Sequence, residues 1–185
     1  MFDLDGLFGE LQAALDETTP QLAVRDVLTR AVARPRDVAE TLRPRQGGIR
    51  LLLHRPDLTA IDAAWAPGMR LMPHDHRMWA VIAVYQGAED NEFYRRGPGG
   101  SLVESNGRRL DVGDVVVLGD ATIHAVANPT DGLTGAIHVY GGDFLSQPRS
   151  QWGPGDLVER PFDLDEAMRQ FHEANVAAGL ADDPG

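Results

Sequence analysis

The sequence predicts an all-β fold, a small barrel or sandwich with helices at both ends of the chain, and three observations carry that prediction. Residues 48–145 break into short apolar runs separated by Gly, Pro, Asn and Asp. The residues before them place apolar side chains at helical spacing, and residues 160–180 return to that spacing. Eight or nine short β-type runs with turn signals at this density suit a sandwich or barrel better than alternating β–α units. At 185 residues the chain is long enough to bury a substantial core. It reads as one domain over 1–185, with a helical N-terminal layer (1–45), a β-barrel core (48–145) and a C-terminal helix (160–180).

The elements follow in order. Phe2, Leu4, Leu7, Leu11 and Leu15 recur at helical spacing over residues 2–17. In TTPQLAVRDVLTRAV, Thr19 stands as an N-cap and Pro20 at the first helical position, and PRDVAETL makes a third short helix. From Gly48 the β-type runs are GIRLLLHR, LTAIDAAWA, RLMPHDH, MWAVIAVYQG, EFYRR, SLVES, DVVVLG, IHAVAN and AIHVYGG. RRGPGGS and ESNGRR read as hairpin turns, the second through its Asn-Gly pair. In PFDLDEAMRQFHEANVAAGL, Asp163 is the N-cap and Gly179 lies near the stop.

Composition narrows the function. Apolar residues make up 43% and charged residues 24%, which is ordinary globular usage. A net charge of −11 with scattered arginines argues against nucleic acid, which clustered Lys and Arg would hold. With no cysteine, disulfides and thiolate metal sites are excluded, so metal ligands must be His, Asp or Glu. The acidic N-terminal stretch lacks the basic region of a signal peptide, and no run reaches the roughly 18 apolar residues of a membrane span. A cytoplasmic protein with no membrane partner is the expectation.

The chemistry concentrates in PHDHRMWAVIAVYQG. Residues i and i+2 of a strand share a face, so His74 and His76 can aim at one point, whereas Asp75 between them faces the other way. Downstream, GDVVVLGDATIHAVANP sets Gly113 and Gly119 around a β run, then His124 and, four residues on, Asn128. With Gly68 six residues before His74 and Gly87 closing the first stretch, these spacings resemble the two motifs of the cupin superfamily. That resemblance implies a double-stranded β-helix, a jelly-roll-like barrel with the helices packed outside. It also implies His74, His76 and His124 as metal ligands. Where the usual cupin pattern has a fourth, Glu ligand, this sequence has Ala80. Three neutral ligands leave the metal's charge uncompensated, which favours an anionic ligand from outside.

Within the cupins, PHDH followed by Trp79, a late His124 and the AIHVY stretch resemble the thiol dioxygenases, a family that includes cysteine dioxygenase and 3-mercaptopropionate dioxygenase. Members hold Fe(II) on three histidines and add both atoms of O2 to a thiol sulfur, giving a sulfinate. The resemblance spans residues 50–145. It implies a small thiol and O2 as partners, and it implies that His138 and Tyr140 act as an outer hydrogen-bonded relay with the Tyr140 phenol donating to the substrate or to iron-bound oxygen. The family's Ser at the head of that relay is Ala136 here, so the relay must end differently. The Cys-Tyr crosslink of some members cannot form without cysteine.

A carboxylate on the thiol calls for an Arg. Arg50, sharing a face with Leu52 and His54, lies at the family's distance upstream, and Arg70 and Arg77 flank the metal motif. Trp79 is a candidate wall of the substrate pocket. His54 stays outside the ligand set, and His172 reads as exposed. Two other readings stay open: a cupin enzyme using Zn, Mn or Ni on a non-thiol substrate, and a non-catalytic metal-binding cupin. Oligomeric state is not encoded in any of these features.

Overall fold

The computed structural model describes residues 2–98, 101–153 and 157–181. Three helices come first: α1 (Leu4–Ala14), α2 (Pro20–Val32) and α3 (Pro35–Leu42). Asp3, whose side chain accepts the Gly6 N–H at 3.0 Å, caps α1, so this helix is shorter than residues 2–17. Thr19 occupies the N-cap position of α2 without a side-chain hydrogen bond, leaving Pro20 as the main start signal.

Eleven strands follow: β1 (Gly48–His54), β2 (Thr59–Trp65), β3 (Arg70–Asp75), β4 (Ala80–Gln86), β5 (Ala88–Arg96), β6 (Leu102–Asp111), β7 (Val115–Leu118), β8 (Ile123–Ala127), β9 (Thr134–Tyr140), β10 (Ser150–Trp152) and β11 (Glu159–Pro161). They form two sheets, β1-β2-β9-β4-β7 and β11-β10-β3-β8-β5-β6. The antiparallel pairs nest: β5 with β6, β4 with β7, β3 with β8, and β2 with β9. A long β-ribbon folded back in this way is a double-stranded β-helix of the cupin type.

Alternation divides two apolar layers. Val81, Ala83, Ile137 and Val139 face the N-terminal helices and meet Leu7, Leu11, Val24 and Leu28. Ile82, Val84, Ala136 and Tyr140, one residue out of phase, face the barrel interior. Helix α4 (Leu164–Ala177) packs outside the barrel, as expected, and lends Ala167 and Phe171 to the interior cluster, where Phe171 stacks on Trp65 at 5.2 Å. Asn175 fixes its far end by a two-way hydrogen bond with the Gly47 backbone. As expected, Asp163 caps α4 by accepting the Glu166 N–H.

One turn is corrected. Asn106 and Gly107 lie within β6, pairing with Phe93 and Glu92, and the register shift beside them marks a bulge. β6 is a sheet edge, which tolerates the glycine. The other turn does join β5 to β6, across the Arg96–Leu102 pair, although its residues 99–100 lie outside the described residues. The closing Gly87 has φ +70, and a Cβ there would come within 2.4 Å of Thr134 Oγ1. Asn128 ties two loops by donating to the Trp65, Ala66 and Gly132 carbonyls.

Candidate metal centre

β3 and β8 pair His74 directly opposite His124, and the chain leaving β3 brings in His76. One nitrogen from each ring lies within 4.8 Å of the others, and all three residues are buried. Ring centroids stand 4.7–5.0 Å apart, and His76 Nε2 faces His124 Nε2 at 3.4 Å. Desolvation holds the His74 imidazole down at about 4, against the small upward pull of its hydrogen bond to the Met72 carbonyl. Burial, reinforced by the neighbouring rings, also drives His76 and His124 well below the usual histidine range. At neutral pH these are therefore uncharged rings with converging lone pairs, a repulsive arrangement that a cation relieves.

Outer contacts orient the rings. His74 Nδ1 donates to the Met72 carbonyl at 3.0 Å, which leaves Nε2 free to ligate. His124 Nδ1 lies 2.7 Å from Asn91 Oδ1, with the same result. The residues present thus fit a metal held by three imidazoles with open positions on the cavity side.

That cavity is about 560 Å3 and is lined by the triad, His138, Tyr140 and Arg149 together with apolar side chains. The Tyr140 ring meets His76 edge-on at 5.0 Å, and its hydroxyl lies 3.2 Å from His138 Nδ1. Desolvation raises the phenol well above its ordinary value, so Tyr140 is protonated at neutral pH. The side chain that sequence reasoning missed is Arg149, in the segment between β9 and β10. Its guanidinium is clamped between the Phe144 and Phe162 rings, 4.1 and 4.2 Å from their centroids. One arm donates to the Phe144 carbonyl at 2.6 Å, and Nε is buried with no hydrogen-bond partner among the described residues. Burial lowers the Arg149 pKa from the ordinary arginine value, and its charge adds to the depression of His74 and His76. No local sequence signal marks this arginine, because nothing in the sequence shows that Phe144 and Phe162 close on opposite faces of its guanidinium.

The predicted anchors lie elsewhere. Ile49 and Leu51 line the cavity, so Arg50 between them faces the other side, where it pairs with Asp62 at 2.9 Å and donates to the Leu42 carbonyl. Arg77, at φ +53, turns away to Ser150 Oγ at 2.8 Å and to Asp75 and Glu159. Arg70 is held by Glu92 on the surface. Trp79 is not a cavity wall. Its ring lies against Gly141, where a Cβ would come within 2.0 Å, and it packs with the helix-side layer. Asp75 is structural, accepting the Ser150 N–H at 2.7 Å and so fixing β10 to β3. His54 bonds Asp143 at 2.8 Å, and His172 is exposed.

No family model matches the sequence. Solved structures give partial superpositions. A protein from Bacillus halodurans, BH2720, is 16% identical over 56% of this chain and 75% of its own, at TM-score 0.48. An RmlC-like cupin family protein with a double-stranded β-helix fold from Methanocaldococcus jannaschii is 8% identical over 55% and 84%, at 0.46. Peruvianin-I, a cysteine peptidase from Thevetia peruviana latex, is 18% identical over 47% of this chain, at 0.40, and the match spans only 52% of its length. The fold assignment rests on the nested pairing of this chain's own strands.

Proposed function

We propose that this chain is an Fe(II)-dependent dioxygenase that oxidises a carboxylate-bearing thiol to a sulfinate. The observation that carries the reading is a buried, uncharged three-histidine set sharing one cavity with a clamped arginine. His74, His76 and His124 would hold the metal. When bound, iron supplies a Lewis acid that stabilises a thiolate and a redox centre for O2.

The protein's own groups supply the rest. Arg149, which lines the cavity, would offer a guanidinium N–H to the carboxylate, and the two phenyl rings on its faces keep the fork in place. Two anchors, sulfur at the triad and carboxylate at Arg149, fix the substrate's orientation. Tyr140 bounds the cavity beside His76, within reach of the sulfur end. A three-carbon thiol leaves much of the cavity empty, and Leu51, Leu145, Leu164 and Met168 line the remainder. The reading therefore favours thiols that carry an apolar substituent.

The test is O2 uptake with sulfinate formation by the iron-loaded protein. The panel is 3-mercaptopropionate, cysteine, cysteamine, mercaptosuccinate and longer alkyl mercapto acids. Stoichiometric uptake with a mercapto acid is expected, and silence across the panel would sink the proposal. Three imidazoles and an open position also suit a zinc centre acting on water. Metal analysis of protein purified without added metal separates the two, since abundant zinc with little iron favours the second.

A further inference from the structure

Two arms of polar contacts leave the cavity and meet at Glu89, a carboxylate with 0% exposure on β5. On one arm, Glu89 Oε1 accepts from Asn91 Nδ2 at 2.9 Å, and Asn91 Oδ1 faces His124 Nδ1 at 2.7 Å. On the other, Glu89 Oε2 accepts from Trp65 Nε1 at 2.9 Å and lies 3.4 Å from His138 Nε2, whose Nδ1 faces the Tyr140 hydroxyl at 3.2 Å. The His138–Glu89 contact is an ion-pair distance rather than a formed hydrogen bond, and His138 Nε2 has no hydrogen-bond partner among the described residues. Ala136, on the same strand face as His138, offers no hydroxyl in its place.

We propose that Glu89 is a positioning residue that fixes, from one buried carboxylate, which nitrogen of His124 and which nitrogen of His138 carries hydrogen. An ionised carboxylate only accepts. Asn91 must therefore turn its NH2 to Glu89 and its oxygen to His124, which places hydrogen on His124 Nδ1 and leaves Nε2 bare among the three rings. The same demand places hydrogen on His138 Nε2. A neutral His138 then has a bare Nδ1 that accepts the Tyr140 O–H, so the phenol oxygen turns its lone pairs to the cavity. The phenol hydrogen is thus committed to His138 and Tyr140 offers the cavity acceptor lone pairs, the reverse of the donating role its resemblance implies. Burial alone would raise the Glu89 pKa. The Asn91 and Trp65 donors on its two oxygens pull the other way and favour the ionised form.

A glutamine cannot substitute. Donors converge on both oxygens, so an amide would set its NH2 against one of them. The roles of His124 as ligand and Tyr140 at the substrate rest on the function proposed above, but the hydrogen placement does not.

The test is imidazole 15N NMR on the full chain, stripped of metal, without thiol, at pH 8, with signals assigned from single His→Gln variants. His124 is expected as the Nδ1–H form and His138 as the Nε2–H form. In Glu89→Gln at least one of the two rings should switch form, because a single amide oxygen cannot hold both arms. A wild-type His138 in the Nδ1–H form overturns the proposal, as does Glu89→Gln with both rings unchanged. If Glu89→Gln does not fold, the wild-type spectrum decides alone. A failed thiol assay leaves this result untouched.

Discussion

The two faces of the five-stranded sheet are chemically opposite. On the helix side, Leu11, Val24, Leu28, Ile137 and Val139 make an aliphatic layer whose polar exception is Asp62, satisfied by the Tyr85 hydroxyl at 2.6 Å and by Arg50. Inside the barrel, among Ile82, Leu110 and Phe171, sit four histidines, Glu89, Asn91 and Tyr140, all buried. Adjacent residues of β9 divide between them: Ile137 and Val139 outward, His138 and Tyr140 inward. A one-residue alternation thus separates groups that hold the fold from groups that cost stability to bury. Concentrating that cost in a single chamber is a signature of a working site rather than of a core.

The comparison can be broken by crossing the faces. Inside, His124→Ala should abolish high-affinity metal binding in a chelator competition, while metal-free stability changes by less than that of any helix-side deletion. Outside, Leu28→Ala removes a fully buried side chain and should cost about 2–5 kcal/mol in urea unfolding, with metal affinity unchanged. Arg149→Gln should raise the KM for a mercapto acid about 10–100-fold, the loss of roughly 1.5–3 kcal/mol in a charge-assisted bond, with metal affinity retained.

Acid should strike the interior selectively. His74 titrates at about 4 when folded and at about 6.5 when unfolded, so between those values the unfolded chain holds more protons. Stability of the metal-free protein therefore falls as pH drops through that window. His76 and His124 shift in the same direction, each contributing up to about 1.4 kcal/mol per pH unit. Melting curves at pH 7, 6 and 5 measure the slope, and His124→Ala should flatten it. The smallest effect belongs to Arg50→Ala and Arg77→Ala, which lie off the cavity and should leave kcat/KM within about twofold.

How much of this was legible in the sequence follows the same division. Period-2 alternation showed the strands that have one apolar face, and the His-x-His with a late histidine showed the triad. β10 and β11 are three residues each within a Gly- and Pro-rich stretch and carry no period to read. Arg50 is suggested by its distance upstream, and LLL in β1 is apolar on both faces, so the pattern gives no phase to say which side it takes. Glu89 and Asn91 share the inward face of β5 with Phe93, but two polar residues at that spacing read as a solvated face until the opposing donors are in place. Arg149 acquires meaning only when Phe144 and Phe162 close on it.

An uncharged histidine triad that takes a thiolate beside an arginine should reveal itself in anaerobic titration of the cobalt-loaded protein with 3-mercaptopropionate and with a longer alkyl mercapto acid. A sulfur-to-cobalt charge-transfer band should appear, saturate at one thiol per metal and weaken in Arg149→Gln. A spectrum that keeps its ligand-free form through excess mercapto acid would contradict it.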